Sequence, residues 1–200
     1  MNIWKLKKQC QSDFDSGLTR AGIFEKYAGK EISDKKLATA IASVRDPKLI
    51  SRYRILNYIL VGIMTLLAVV MTFSLYGILQ SGDLKATAIV ITILTLFVTL
   101  IFGIFKNYHQ AYLIYGLLTT MRLPTHIEGF GSDFTVNIVE LGLALFMVSS
   151  LWFLKIKLFP YMSVFGGPKK GVNGNYLVSE SGVVDQISLW TAQPPRPPGP

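Results

Sequence analysis

The chain has 200 residues, half of them hydrophobic and only 16% charged, and its mean hydropathy is +0.41. Soluble domains carry roughly a quarter charged residues, so an ordinary globular surface is excluded. The apolar content excludes disorder, the 17 glycines follow no three-residue period that would make collagen, and a single cysteine, Cys10, excludes a disulfide scaffold. The class that remains is an all-α, polytopic integral membrane protein.

The formal charge of +8 is unevenly placed, because residues 1–54 hold 12 of the 20 Lys/Arg but 6 of the 12 Asp/Glu. A basic surplus beside the first apolar run is the positive-inside signal. It predicts a cytoplasmic amino end in contact with anionic lipid headgroups. Acids are interleaved among these bases and no recognition motif accompanies them, so no nucleic-acid partner is expected. The lone thiol fits a reducing compartment. The first apolar run begins too far along the chain for a cleaved signal peptide.

Residues 1–54 read as a basic, partly helical cytoplasmic segment. Ile32-Ser33 followed by Leu37 predicts a hydrophobic staple around an N-cap, with Leu37, Ile41 and Val44 on one face of a short helix. Asp46-Pro47 is a second N-cap signal with proline at the first helical position. It predicts a helix running through Arg52 and Arg54 directly into the first span.

Residues 55–157 read as a membrane domain of four spans, at about 55–79, 86–105, 107–123 and 134–154. From Ile55 to Gly82 there is no charge in 28 residues, more than the ~20 needed to cross hydrocarbon. The turn Gln80-Ser81-Gly82-Asp83 folds spans one and two into a hairpin. The third segment is the weakest, because Asn107, Tyr108, His109 and Gln110 make its start polar and its apolar core, Ala111 to Met121, is short. An interfacial or re-entrant helix is the competing reading there. Charge decides for a full crossing: Lys155, Lys157, Lys169 and Lys170 follow the last apolar run, so both ends are expected inside and the number of spans is even. Residues 158–200 read as a cytoplasmic, mostly flexible tail. It ends in Pro194-Pro-Arg-Pro-Pro-Gly-Pro200, which cannot form a helix or an interior strand; a polyproline ligand is the competing reading.

Glu140 is an ionisable side chain within the fourth span, three residues beyond Asn137 on the same helical face. It lies ~9 Å into that span at the helical rise, and Arg122 ends span three on the same side. A structural ion pair between Arg122 and Glu140, clamping spans three and four, is expected; a proton or cation pathway is the alternative. Thr92, Thr95 and Thr99 share one side of span two and, with Asn137, are read as helix-packing residues, with a pore lining in an oligomer as the sharper alternative. Arg45, Lys48, Arg52 and Arg54 are candidate lipid or partner contacts. Tyr108 and His109 read as interfacial aromatics, since the only other histidine, His126, is assigned to the opposite side. There is no zinc-ligand spacing, phosphate loop or nucleophile elbow, so no catalytic residue, metal or cofactor is expected and the chain is read as a non-enzyme.

The basic start Met1-Asn-Ile-Trp-Lys-Leu-Lys-Lys8, followed by closely spaced apolar spans, resembles the layout of small plasmid-encoded proteins of bacterial inner membranes. These are the conjugative entry-exclusion proteins and the immunity proteins against pore-forming colicins. The likeness covers the layout of residues 1–160 and matches no diagnostic motif, so no functional residue carries over. It implies action by helix contacts with another membrane protein, either a DNA-transfer apparatus or a toxin. The amino segment is longer than is usual among immunity proteins, which ranks exclusion first. A small channel or transporter subunit using Glu140 is the alternative.

Overall fold

The computed structural model describes residues 2–29, 32–128, 134–170 and 176–177. Its named elements are all α-helices: α1 (Ile3–Asp15), α2 (Arg20–Tyr27), α3 (Asp34–Ala42), α4 (Pro47–Arg52), α5 (Arg54–Ser81), α6 (Leu84–Phe105), α7 (His109–Glu128) and α8 (Phe134–Leu158). They fall into two units. The first takes Met1–Val44, Tyr161–Ser163 and Gly167–Pro200, the second Arg45–Pro160 and Val164–Gly166.

In the first unit, the Asn2 side chain caps α1 by accepting the Trp4 N–H, and Thr19 caps α2 by accepting the Gly22 N–H. Apolar side chains recurring every three or four residues give each helix one inward stripe. Leu6, Cys10, Ile23, Phe24, Leu37, Ala40, Ile41 and Val44 form the resulting buried core. Ile32 packs against it, as the staple predicts, and Ser33 is the N-cap of α3 although its side chain makes no capping bond. Asp13 ties α1 to α2, accepting from Lys26 Nζ at 2.7 Å and from the Tyr27 hydroxyl at 2.9 Å. Part of the segment expected to be flexible is folded: Ser163 N–H donates to Gly167 O at 2.7 Å, Lys169 N–H donates to Tyr161 O at 2.9 Å, and Met162 is buried. The proline-rich end, residues 194–200, lies outside the described residues.

In the second unit, the Asp46 carboxylate caps α4 by accepting the Lys48 N–H at 2.9 Å. The expected single helix from Pro47 into the first span is broken at Tyr53, whose ψ of 13° ends α4 before α5 begins. Tyr53 holds this break by packing its ring edge-on against Phe153 of α8, centroids 5.6 Å apart. α4 thus falls in the second unit, which begins at Arg45.

Gly82, at φ +72°, and Asp83, whose carboxylate accepts the Lys85 and Ala86 N–H groups, make the turn from α5 to α6. Tyr58 stacks on Phe105, Phe97 meets Tyr115, His109 meets Phe159, and Trp152 donates to the Thr120 hydroxyl at 3.1 Å. These pairings make α5 to α8 an antiparallel up-down-up-down bundle. Three helical stretches, Arg54–Gln80, Leu84–Phe105 and Ile138–Leu158, are long and apolar enough to cross a membrane. Only 18%, 17% and 28% of their most apolar stretches is buried, so the apolar surface faces outward, as it does where lipid is the solvent. The 20-residue α7 is not among them; it carries Arg122 and an internal Pro124.

Candidate functional site

The start of α5, the end of α6, the start of α7 and the end of α8 converge at one end of the bundle. Arg45, Lys48, Arg52, Arg54, Lys106, Lys155 and Lys157 gather there, and Asp46 is the acid placed among them. Six of these seven cations lie over aromatic rings. The ion-to-centroid distances are 5.4 Å for Arg45 over Tyr108, 5.7 Å for Arg52 over Tyr53, 5.1 Å for Arg54 over Tyr58 and 5.6 Å for Lys106 over Phe102. For Lys155 over Trp152 and Lys157 over Phe153 they are 5.1 Å and 5.9 Å. Each such contact is worth roughly 0.5–1 kcal/mol at an exposed site, enough to orient a cation without neutralising it. The result is a basic and aromatic collar suited to anions.

A buried polar network holds this end together. The Tyr112 hydroxyl donates to Asn57 Oδ1 at 2.7 Å, with Asn107 Oδ1 at 3.1 Å and Ile104 O at 3.2 Å as its neighbouring acceptors. Asn57 Nδ2 in turn donates to Ile104 O at 3.4 Å, joining α5 to the end of α6. Asn107 takes φ +55°, a left-handed conformation that asparagine adopts more readily than most residues, and the Tyr108 N–H closes the turn on Gly103 O at 2.8 Å. The next helix then comes very close: a Cβ on Gly103 would stand 2.6 Å from that of Ala111. Sequence reading passes over this network, although Asn57 is the one amide between Ile55 and Leu79 and was visible as such.

The burial of two cations also escapes a reading by sequence, in which Lys155 counts only as a flanking charge. Lys155 is buried and its Nζ donates to the Val164 carbonyl. In the first unit, the Arg20 guanidinium is buried between the rings of Phe14, at 4.7 Å, and Tyr161, at 5.0 Å, and donates to Val44 O at 3.5 Å. Nothing local in the sequence marks either residue as buried.

The residues singled out by sequence are placed as follows. Arg45, Arg52 and Arg54 join the collar, and Lys48 lies in the first turn of α4 beside them. Tyr108 is half-exposed under Arg45, whereas His109 is buried, edge-on to Phe159, and so is a packing residue and not an interfacial one. Thr92, Thr95 and Thr99 are exposed, and their hydroxyls donate to the carbonyls of Ala88, Ile91 and Thr95, each at 2.8 Å. Those bonds stay on α6, and the three side chains face outward. Arg122 and Glu140 are exposed on α7 and α8, while the side chains of Asn137 and His126 lie outside the described residues. Among the described residues no group of three His, Cys, Asp or Glu is placed to hold a metal ion.

No family model, curated protein or solved structure matches the chain.

Proposed function

We propose that this chain is a non-enzymatic, multi-pass protein of the bacterial inner membrane that works by recognising another membrane protein, either a different chain or a second copy. The observation that carries the reading is the outward surface of the bundle. α6 turns Thr92, Thr95 and Thr99 away from its own neighbours, and compact β-branched and hydroxyl side chains on an outward helix face allow close approach of a second helix in lipid. The folded first unit, with its own closed core, supplies a second recognition surface outside the bilayer.

Our reading includes a four-crossing topology with both ends cytoplasmic. α6 and α8 both finish at the collar end, so the chain must return to the far end between them, and α7 is the helix that lies there. The basic side chains at the collar support assigning that end to the cytoplasmic face. Within this class we favour entry exclusion during plasmid conjugation, with toxin immunity second.

In-membrane crosslinking of the full chain through an amino-terminal tag tests the proposal. A distinct membrane partner, such as a transfer component or a toxin, is expected, together with protection of the host cell in trans and no change in ion flux. Capture of nothing but the chain itself, as a defined oligomer with a conductance that Glu140→Gln alters, overturns it in favour of a channel or transporter subunit. The outward threonines and the exposed Glu140 are the features that keep that second reading in view.

A further inference from the structure

The geometry points to a binding site for an anionic glycerophospholipid on the α5–α6 side of the collar. Three cations meet there on one aromatic ledge. Arg54 Nε–H donates to the Tyr58 hydroxyl at 3.0 Å and its guanidinium lies over that ring; Tyr58 stacks on Phe105, centroids 6.4 Å apart and planes 22° from parallel. Lys106 follows Phe105, with its Nζ 5.8 Å from that ring centroid. Arg45 completes the ledge, donating to the Lys106 carbonyl at 3.1 Å while its guanidinium lies over Tyr108. The first two rings are 47% exposed and the third 50%.

Each part of this ledge matches a part of the ligand. Guanidinium groups carry five N–H donors in a planar fork that fits phosphate oxygens, and Lys106 adds a compact point charge. The tyrosines present an apolar ring with a polar tip, the combination that seats at headgroup depth. Phe102, exposed one turn before Phe105 and Lys106, leads from the cations onto the outward apolar surface of α6, where an acyl chain has a path that a free phosphate ion cannot use. Charge complementarity and continuity with the lipid-facing surface therefore commit the site to a lipid. The proposal rests on the membrane-crossing helices and not on recognition of a protein partner, so either can fail while the other stands.

The test uses the full chain in a neutral detergent, titrated with fluorescent phosphatidylglycerol or with phosphatidylcholine of the same acyl chains at low salt. Tighter binding of phosphatidylglycerol is expected, and Arg45→Gln, Arg54→Gln and Lys106→Gln should each weaken it roughly fivefold, the contribution of one basic residue at an anionic surface. Lys85→Gln, a change at the other end of the bundle, should leave it unchanged. Arg54→Lys, which keeps the charge but loses the fork, should bind more tightly than Arg54→Gln and more weakly than the unaltered chain, and circular dichroism with gel filtration checks that each variant is folded. Equal binding of the two lipids overturns the proposal, as does an equal loss in Lys85→Gln. Displacement of phosphatidylglycerol by millimolar inorganic phosphate makes this an ion site and overturns it too.

Discussion

Tyr112 and Asn57, both buried, show how one hydroxyl and one amide hold three helices together. Asn57 is buried and its Oδ1 takes the Tyr112 proton, so Tyr112→Phe leaves that amide short of a partner. A loss of about 1–3 kcal/mol is expected, read as a lower midpoint of thermal unfolding in detergent; an unchanged midpoint would show the network to be idle. Gly103 makes a steric claim of the same size. Gly103→Ala forces a methyl onto Ala111 and should cost about 1–3 kcal/mol, and adding Ala111→Gly should recover most of it. If the double variant is no better than the single one, α6 and α7 do not meet at this point. Arg122 and Glu140 remain a proposed clamp: Arg122→Gln and Glu140→Gln should each lower the same midpoint, and two neutral results sink the idea. Asn57 carries no local signal of this role, because which carbonyl and hydroxyl it meets depends on residues 47 and 55 positions away.

Among the elements, the three-helix unit is the part whose stability depends most clearly on pH. Burial first, and the nearby Asp13 charge second, push the Cys10 thiol from its ordinary 9.0 up to about 11. Burial and its bond to Asp13 also raise Tyr27, and the Asp13 hydrogen bond raises Lys26. All three values lie higher in the folded than in the unfolded chain, so above pH 9 the folded unit holds more protons and the slope of stability against pH is negative. The contribution is complete below about pH 9 and lost as pH climbs through 11; for the fully buried Cys10 it is on the order of 2–3 kcal/mol. Denaturant midpoints of the full chain, followed by proteolysis within residues 1–44, should fall between pH 9.0 and about 11. Cys10→Ala should flatten that fall, and a steeper fall would contradict the assignment. Leu37→Ala should cost this unit about 2–5 kcal/mol, since its site is closed on every side. The stripe Leu37, Ile41 and Val44 and the cap at Ser33 were readable because helical periodicity is local. The break at Tyr53 was not, because it is held by Phe153, 100 residues along the chain.

For the whole molecule, the apolar runs predicted the three helices long and apolar enough to cross a membrane, since the cost of placing charge and unpaired backbone in hydrocarbon leaves a mark on composition. The composition of α7 separates it from α5, α6 and α8, the three helices with stretches long and apolar enough to cross a membrane; its return crossing is part of the proposal. The collar could be seen in the sequence only as scattered lysines and arginines. Folding the chain into four antiparallel helices brings Arg45, Arg54 and Lys106 to one ledge, and that requires knowing which helix ends meet.

Topology mapping therefore tests the central claim most directly. Single cysteines placed at Gly82, Gly129, Lys106 and Pro200 in a Cys10→Ala background would be labelled in intact cells with a membrane-impermeant maleimide, then again after permeabilisation. Gly82→Cys and Gly129→Cys should label in intact cells, and Lys106→Cys and Pro200→Cys only once the membrane is opened. Labelling of Lys106→Cys from outside would contradict this by turning the basic collar away from the cytoplasm, and labelling of Pro200→Cys alone from outside would contradict it by removing the crossing at α7.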